Sequence, residues 1–218
     1  MSSLSGSTAP SSGTIAVGPP LAASFYARDV LVVARELLGC LLQVGDTLGR
    51  IVETEAYHQR EPACHGHNGR TQRCRSLFGP PGIAYVYRAY GIHRCFNVVC
   101  EDEGVGAAVL VRAVEPLAGI EAMRERRGVE RLEDLCSGPG KLCQAFAIEL
   151  AHDGTSLVDG PIRLFAAPGR RPRPSAIVAG PRIGITRAVD LPWRFCLADS
   201  PFLSRPRPPR PRVAGTGT

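Results

Sequence analysis

The chain has 218 residues, of which 26 are basic and 20 acidic, so its formal net charge is +6. Its hydrophobic content is 44%, without a run of about 18 apolar residues, and this excludes a membrane-spanning helix. With 24 Gly and 19 Pro residues, the composition favours a β-rich or mixed fold with many turns over a helical bundle. The length is that of one domain.

The cysteines and lysines restrict the chemistry. Eight cysteines occur without a Cys-x-x-Cys pair, and the N-terminal region lacks the basic and apolar segments of a secretory signal. We therefore expect free thiols in a reducing compartment and a protein that is not secreted. Lys141 is the single lysine of the chain, so a mechanism that needs a lysine amine has one candidate.

Both ends of the chain have compositions that predict disorder. Residues 1–22 contain 14 Ser, Gly, Pro or Thr residues and no charge, too little apolar surface to offset chain entropy. Residues 201–218 hold five prolines and four arginines without an acid, which predicts a mobile basic tail. The folded domain is therefore predicted over 23–200. Because the four arginines of the tail account for two thirds of the net charge of +6, net charge alone is weak evidence for a nucleic-acid partner.

Hydrophobic spacing and turn residues predict the secondary structure between these ends. In chain order it consists of a helix over 30–38, a hairpin of 40–44 and 50–57, a long loop over 58–82, antiparallel strands over 83–87, 93–100 and 107–114, and helices over 117–127 and 139–150. Asp29 is placed to cap the first helix and Gly39 to end it. A long loop without structure in a compact domain is usually functional.

The strand over 51–57 carries two carboxylates on one face. Residues two apart share a face of a strand, so Glu53, Glu55 and Tyr57 point the same way. One interpretation is the solvated face of a half-buried strand. The other is a general base that activates water, with the second Glu or nearby arginines tuning it.

A cluster of tyrosines follows the long loop. Tyr85 and Tyr87 share a strand face, where core packing is the simple interpretation, but Tyr90 adjoins the turn glycine Gly91. A ring that projects from a turn can stack on bases or enter between them. The preceding segment 70–75 supplies guanidiniums and a hydroxyl suited to phosphate oxygens, which favours nucleic-acid binding.

The sequence around Lys141 resembles a phosphate loop only superficially. Leu135 occupies the position of the first glycine, and Leu142 follows the lysine where Ser or Thr is required. Ser137, Lys141 and the start of the following helix could instead hold a backbone phosphate.

A zinc site in the long loop is a further alternative. The possible ligands are Cys64, His65, His67 and Cys74. Their spacing matches neither a zinc finger nor a zinc ribbon, so we expect no metal.

These motifs together resemble the alkyladenine (3-methyladenine) DNA glycosylase family. The similar stretches are 38–39, 49–57, 61–65, 69–71 with Arg73, 78–97, 109–116, 136–148 and, more weakly, 179–185. The resemblance implies an α+β fold, a single domain over 23–200 with a curved antiparallel β-sheet surrounded by helices. It also implies a monofunctional DNA glycosylase that flips out damaged purines (3-methyladenine, 7-methylguanine, hypoxanthine and ethenoadenine) and excises them by water attack in base excision repair.

The resemblance implies roles for individual residues. Glu55 is the general base, and Arg112 and the backbone carbonyl near Ile183 help to hold the water. The residues implied to bind the flipped base are Tyr57, His65, Tyr87, Asn97 and Ile183, with Asn97 disfavouring guanine. The residues implied to contact DNA are Tyr90, which enters the duplex, and Arg70, Thr71, Arg73, His93, Ser137 and Lys141. Gln72, Cys74, Ile92 and Arg94 depart from the usual family pattern in these DNA-facing loops.

The expected partner is double-stranded DNA with damaged purines, bound by a monomer without a cofactor and without a membrane. The resemblance makes Lys141 a DNA or structural contact, so strand cleavage through a Schiff base is not expected. The expected location is the cytoplasm, with the nucleoid, in a bacterium or the nucleus in a eukaryote. The alternatives are a non-catalytic damaged-DNA-binding protein, which an intact Glu55 and Arg112 disfavour, and a metal-dependent hydrolase.

Overall fold

One antiparallel sheet of eight strands curls into a half-barrel in the computed structural model, which describes residues 17–169 and 171–206. The strands are β1 (Leu41–Val44), β2 (Thr47–His58), β3 (Ala84–Ala89), β4 (His93–Val99), β5 (Ala107–Ala118), β6 (Ile162–Phe165), β7 (Ile177–Gly180) and β8 (Arg194–Leu197). Their order is β3-β4-β5-β2-β1-β6, and β8 pairs with both β2 and β7. The predicted α+β fold with a curved antiparallel sheet is confirmed.

Short helices surround the sheet. They are α1 (Ala23–Tyr26), α2 (Val30–Glu36), α3 (Ile120–Arg127), α4 (Leu132–Leu135) and α5 (Pro139–Ala145), with 3-10 helices at Gln72–Phe78, Leu150–His152 and Pro174–Ala176. The Asp29 carboxylate caps α2 by accepting hydrogen bonds from the amides of Leu31 and Val32, as predicted. The helix predicted over 139–150 already ends at Ala145, since Ala147 takes a left-handed φ of 53°. No helix among the described residues is both long and apolar enough to cross a membrane.

Strand β2 lies in the middle of the sheet, and its pairing with β5 is irregular next to the candidate active site. Its first half pairs with β1, residues 53–55 pair with β8, and its other edge pairs with β5 along most of its length. The register with β5 skips Val52 on β2 and Arg112 on β5, immediately on either side of the pair Glu53–Ala113. Such bulges increase twist and redirect side chains. They place Glu53 and Arg112 at the point where the sheet curls.

Four apolar clusters of buried residues stabilise this arrangement, the smallest being Leu41, Leu48 and Phe165. The largest joins α2 and α5 to the sheet, with Phe96, Phe146 and Phe195 among its fully buried side chains. A second lies beneath the long loop. A third contains Val52, Ala113, Cys196, Phe202 and Leu203. Burial of these side chains, at about 25 cal/mol per Å² of apolar surface, is the main stabilising term.

The folded domain extends beyond its predicted boundaries, 23 and 200, at both ends. Leu21 is buried and its amide donates to the Leu164 carbonyl at 2.9 Å, so residues 17–22 pack along β6. At the other end, Phe202 and Leu203 are buried and Ser204 is only 3% exposed. The prediction of disorder is therefore wrong for 17–22 and 201–206, because average composition conceals a few apolar residues that fill specific gaps. The remainder of the two predicted tails, 1–16 and 207–218, lies outside the described residues.

Candidate active site

A cavity of about 590 Å³ opens where the sheet bends, between the β3–β4 hairpin, the loop over 58–82 and the segment 181–187. The residues predicted to bind the flipped base all line it: Tyr57, His65, Tyr87, Asn97 and Ile183. Arg112, Arg73 and Tyr90 also contribute to its wall. The structure thus gathers residues that are spread over more than 120 positions of the sequence into one site.

Glu55 lies fully buried directly behind the wall of this cavity. Its Oε1 accepts a hydrogen bond from the Ile183 amide at 2.7 Å. Its Oε2 accepts one from the Tyr57 hydroxyl at 2.9 Å and one from Arg112 Nη1 at 3.1 Å. The interpretation of this strand face as solvated is therefore wrong. The resemblance implied that the backbone carbonyl near Ile183 helps to hold the water. The structure shows a different contact at this residue, from its N–H to the Glu55 carboxylate.

Burial and charge fix the protonation states around this carboxylate. Burial lowers the pKa of Arg112, but the Glu55 and Glu53 carboxylates outweigh that effect, so the net pKa shift is upward and the guanidinium stays charged. Burial raises the pKa of Tyr57, and the neighbouring Glu55 raises it further. The phenol therefore remains protonated and acts as a donor. Three donors converge on the Glu55 carboxylate.

Aromatic rings form one side of the cavity. The His65 and Tyr87 ring centroids are 4.5 Å apart at an interplanar angle of 72°, and His65 Nδ1 lies 2.9 Å from the Tyr85 hydroxyl. His65 remains partly exposed, but desolvation against the neighbouring tyrosine rings and then the charge of Arg73 lower its pKa, so its imidazole is mainly neutral at neutral pH. The sequence predicted His65 and Tyr87 here. It did not predict that Tyr85 orients the imidazole.

Asn97 and Cys95 occupy adjacent positions of the wall on β4. The Asn97 side-chain amide donates to the Tyr85 carbonyl at 3.0 Å, which fixes its orientation toward the cavity. Cys95 lies opposite Tyr87 in the β3–β4 register, and both residues line the cavity. Sequence reasoning missed Cys95, although pairing the predicted hairpin about Gly91 places it opposite Tyr87.

Tyr90 projects from the tip of the β3–β4 hairpin. Its side chain is 84% exposed and its φ of 48° is a left-handed conformation that L residues rarely adopt. Ile92, on the same tip, is 74% exposed. The tip lies beside the segment 181–187, since a Cβ placed on Gly184 would be 3.7 Å from the Tyr90 hydroxyl. An aromatic ring held at the cavity mouth without burial has no packing role.

The polar residues predicted to contact DNA lie on two sides of this tip. Lys141 Nζ donates to Ser137 Oγ at 3.3 Å, and a Cβ on Gly140 would lie 3.1 Å from the His93 ring. His93, Ser137 and Lys141 are thus close together at the start of α5, whose Pro139 lines the cavity.

The loop over 70–75 supplies the other side. Arg70 and Arg73 are exposed, and Arg73 reaches the cavity wall. Thr71 caps the 3-10 helix Gln72–Phe78, and its hydroxyl lies 3.1 Å from the buried Cys74 thiol. In this position Thr71 orders the loop that presents the two arginines. The sequence predicted this segment as structureless, and the 3-10 helix corrects that prediction.

Comparison with known proteins identifies the family. The sequence profile described as methylpurine-DNA glycosylase matches residues 24–201. The chain belongs to the methylpurine-DNA glycosylase family. Relatives named "putative 3-methyladenine DNA glycosylase" include one from Rhodopseudomonas palustris, 55% identical over 91% of this chain and 95% of the relative. Others come from Nitrobacter winogradskyi, 54% identical over 87% and 89% of the two chains, and Methanoculleus marisnigri, 52% identical over 85% and 98%.

Membership of the methylpurine-DNA glycosylase family confirms the resemblance drawn from the sequence, and with it the prediction of an enzyme that hydrolyses N-glycosyl bonds of DNA. The predicted classes of DNA repair and DNA binding are consistent with the same family. The predicted roles of individual residues remain predictions, and the structure gives the positions and contacts of these residues.

The zinc alternative has no support in the geometry of this methylpurine-DNA glycosylase. Within 17–169 and 171–206, no three His, Cys, Asp or Glu side chains are grouped to hold a metal ion. The four proposed ligands have separate partners: Cys64 Sγ contacts the Gly106 carbonyl, His65 contacts Tyr85, His67 contacts the Gln59 carbonyl and Cys74 contacts Thr71.

Arg182 is a buried residue of the site that sequence reasoning missed. Its guanidinium forms two hydrogen bonds with the Glu61 carboxylate, at 2.6 and 2.9 Å, and a third with the Ala56 carbonyl at 3.0 Å. Arg182 thereby ties the segment 181–187 to the end of β2, and the next residue, Ile183, reaches Glu55. Glu61 and Arg182 are 121 positions apart, so no local pattern could have paired them.

Proposed function

We propose that the protein is a monofunctional DNA glycosylase that excises alkylated and deaminated purines, including 3-methyladenine, 7-methylguanine, hypoxanthine and ethenoadenine. It acts as a monomer on double-stranded DNA in the compartment that holds the genome. The observation that carries the proposal is the Glu55 carboxylate, held by Arg112, Tyr57 and the Ile183 amide at the wall of an aromatic cavity. Glu55 activates the attacking water.

The cavity suits a purine base better than a sugar or a phosphate. Its wall combines the rings of Tyr57, His65, Tyr85 and Tyr87 with a small set of hydrogen-bonding groups, namely Asn97, Thr186 and the arginines Arg73, Arg112 and Arg187. Electron-rich rings attract a cationic ring, so alkylated purines gain a cation–π contribution. A positively charged purine is also a good leaving group and needs little acid catalysis. This fits a neutral His65, whose lowered pKa leaves it without a proton to give.

The chemical step needs one base and one water. The water oxygen attacks C1′ of the damaged nucleotide as the C1′–N bond breaks. The electron pair of the broken bond leaves with the base. The proton of the water passes to Glu55. A positioned water and base are sufficient for this displacement, and no covalent intermediate forms. The products are the free base and an abasic site.

Tyr90 supports the extrusion that must precede this step. A base inside a duplex cannot reach the cavity, so it must be flipped at a cost of a few kcal/mol. The exposed ring at the cavity mouth is placed to occupy the space that the nucleotide leaves. Arg70, Arg73, His93 and Lys141 surround it with groups that bind phosphate oxygens.

Strand cleavage through a Schiff base is not part of the proposal. Lys141, the single lysine, donates to Ser137 on the side of α5 and is not among the residues that line the cavity. We expect borohydride to trap no covalent DNA adduct. An adduct that disappears in Lys141→Ala would overturn this part of the proposal.

The experiment uses two kinds of substrate. DNA treated with dimethyl sulfate reports the release of 3-methyladenine and 7-methylguanine as free bases, and duplexes with one hypoxanthine or one ethenoadenine report alkali-labile abasic sites. Tight binding of damaged duplex without base release from any substrate would show a non-catalytic damaged-DNA-binding protein instead.

A further inference from the structure

Glu53 is a buried carboxylate that the proposed reaction does not use. It is fully buried and does not line the cavity. Its Oε1 accepts hydrogen bonds from Arg112 Nε at 3.2 Å and from Arg194 Nε at 2.8 Å. Because Arg112 also contacts Glu55 through Nη1, Glu53 holds the other end of the guanidinium that faces the proposed base. A buried charge of this kind needs several partners to offset its desolvation.

The remaining partners of Glu53 come from the C-terminal segment 201–206. The Ser204 amide donates to Glu53 Oε2 and the Ser204 hydroxyl to Oε1, both at 2.7 Å. The same hydroxyl accepts from Arg112 Nε at 3.4 Å. One serine thus contacts both members of the Glu53–Arg112 pair, and it is 3% exposed.

The segment is anchored on both sides of Ser204. Phe202 and Leu203 insert into the apolar cluster that contains Val52, the bulge residue next to Glu53. On the other side, the Pro206 carbonyl accepts from Arg194 Nη2 at 2.9 Å. The contacts of 201–206 therefore converge on the bulge that orients Glu53 and Arg112.

We propose that segment 201–206 is a positioning element of the active site, in which Ser204 holds Glu53 and thereby aims Arg112 at Glu55. Ser204 and Glu53 are positioning residues, since both act on Glu55 through the Arg112 guanidinium and have no part in the reaction themselves. The inference rests on the proposed role of Glu55 as the base. It extends the functional unit to residues whose composition predicted a disordered tail.

Charge balance gives Glu53 a second effect on Glu55. Two carboxylates, Glu53 and Glu55, face two guanidiniums, Arg112 and Arg194, in a site of low dielectric. Without the Glu53 charge, both guanidiniums would act on Glu55 alone. A carboxylate held by two uncompensated cations is a weaker base.

The other charged or titratable groups around Glu55 are Tyr57 on the same strand β2, Arg182 from the segment 181–187, Cys95 from β4 and Cys196 from β8. None of them is replaced in Glu53→Gln. We therefore assign a shift of the pH profile in that variant to the lost Glu53 charge and to the Arg112 guanidinium that it holds.

The first test is Ser204→Ala in the full chain, with Ser175→Ala, at an exposed serine outside the segment, as the control. Single-turnover release of methylpurines from dimethyl sulfate-treated DNA should fall about tenfold in Ser204→Ala, the effect of losing a hydrogen bond to a charged group. Affinity for the DNA should be unchanged. Ser175→Ala should release bases at the wild-type rate.

The second test separates positioning from a merely structural role. In Glu53→Gln the acid limb of the pH–rate profile should move to lower pH and the plateau rate should fall, because Arg112 and Arg194 then act on Glu55 alone. A structural role would lower the melting temperature without moving the profile. Loss of rate with an unmoved profile in Glu53→Gln overturns the inference, as does a wild-type rate in folded Ser204→Ala.

Glu55→Gln distinguishes failure of this inference from failure of the proposed function. If Glu55→Gln is inactive while Ser204→Ala and Glu53→Gln behave as the wild type, only the positioning role is wrong. If Glu55→Gln keeps the wild-type rate, the proposed base is wrong, and the role of Ser204 is overturned with it.

Discussion

Arg182 stacks on Tyr57, with its guanidinium carbon 4.6 Å from the centroid of the ring. The Trp193 ring lies at 5.4 Å from the same carbon. Tyr57 both lines the cavity and donates to Glu55, so Arg182 fixes a ring with two roles. The bidentate pair with Glu61 fixes Arg182 in turn. The cavity wall is thus ordered by a buried cation that the base itself would not touch.

Replacing Arg182 by lysine should therefore impair catalysis as well as stability. Lysine keeps the charge but loses the planar fork that binds Glu61 and stacks on the ring. We expect a single-turnover rate about tenfold lower, and a free energy of unfolding lower by about 3 kcal/mol because Glu61 is left poorly paired. Urea denaturation and base release measure the two effects. Arg171→Lys, at an exposed pair with Glu36, is the control and should change neither.

Tyr90 should support activity while lowering the stability of the fold. Removing the ring in Tyr90→Gly relieves a φ of 48° and should raise the free energy of unfolding by about 1 kcal/mol. Base release should nevertheless fall at least tenfold, because stacking of one aromatic ring contributes about 1–3 kcal/mol. Tyr90→Phe keeps the ring and should remain active. Equal rates for Tyr90→Gly and the wild type would exclude the ring from base extrusion.

Asn97 should control which purine is released. Its amide is fixed by the Tyr85 carbonyl and faces the cavity, where the resemblance assigns it the exclusion of the guanine 2-amino group. In Asn97→Ala we expect the ratio of 7-methylguanine to 3-methyladenine released from alkylated DNA to rise several-fold. Chromatography of the free bases measures the ratio. An unchanged ratio in a folded variant would remove Asn97 from the determinants of specificity.

The lowered pKa of His65 predicts how the free energy of unfolding changes with pH. Burial, and then the charge of Arg73, lower its pKa in the folded protein below the ordinary value of about 6.5. The unfolded chain therefore binds a proton first as the pH falls. Stability is fully present above the ordinary value and declines as the pH drops toward the lowered one.

Comparison of two proteins isolates this effect from other titrating groups. The free energy of unfolding of the wild type should fall more between pH 7.5 and pH 5 than that of His65→Phe, which keeps an aromatic ring. Urea denaturation at both pH values provides the comparison. Parallel losses in the two proteins would contradict the lowered pKa.

Local signals in the sequence predicted much of the fold. The Asp29 cap, the strand that carries Glu55 and the hairpin that presents Tyr90 each depend on neighbouring residues, and each lies where it was predicted. The residues predicted to bind the base followed from the resemblance. The structure places them around one cavity.

Long-range contacts could not be predicted in the same way. Ser204 meets Glu53 across 151 positions, and neither residue belongs to a pattern that names the other. The composition of 201–218 predicted a mobile tail, because its prolines and arginines outnumber the two large apolar residues, Phe202 and Leu203. Only the packed structure shows that these two side chains hold the segment against the site.

The most direct test of the account compares Glu55→Gln with the wild type. The variant has the same shape, so it should bind damaged DNA with unchanged affinity. Under single-turnover conditions, with dimethyl sulfate-treated DNA, we predict that its rate of methylpurine release is about 10²- to 10⁴-fold lower, the usual contribution of a general base. Release at the wild-type rate by folded Glu55→Gln would contradict the central claim that Glu55 activates the attacking water.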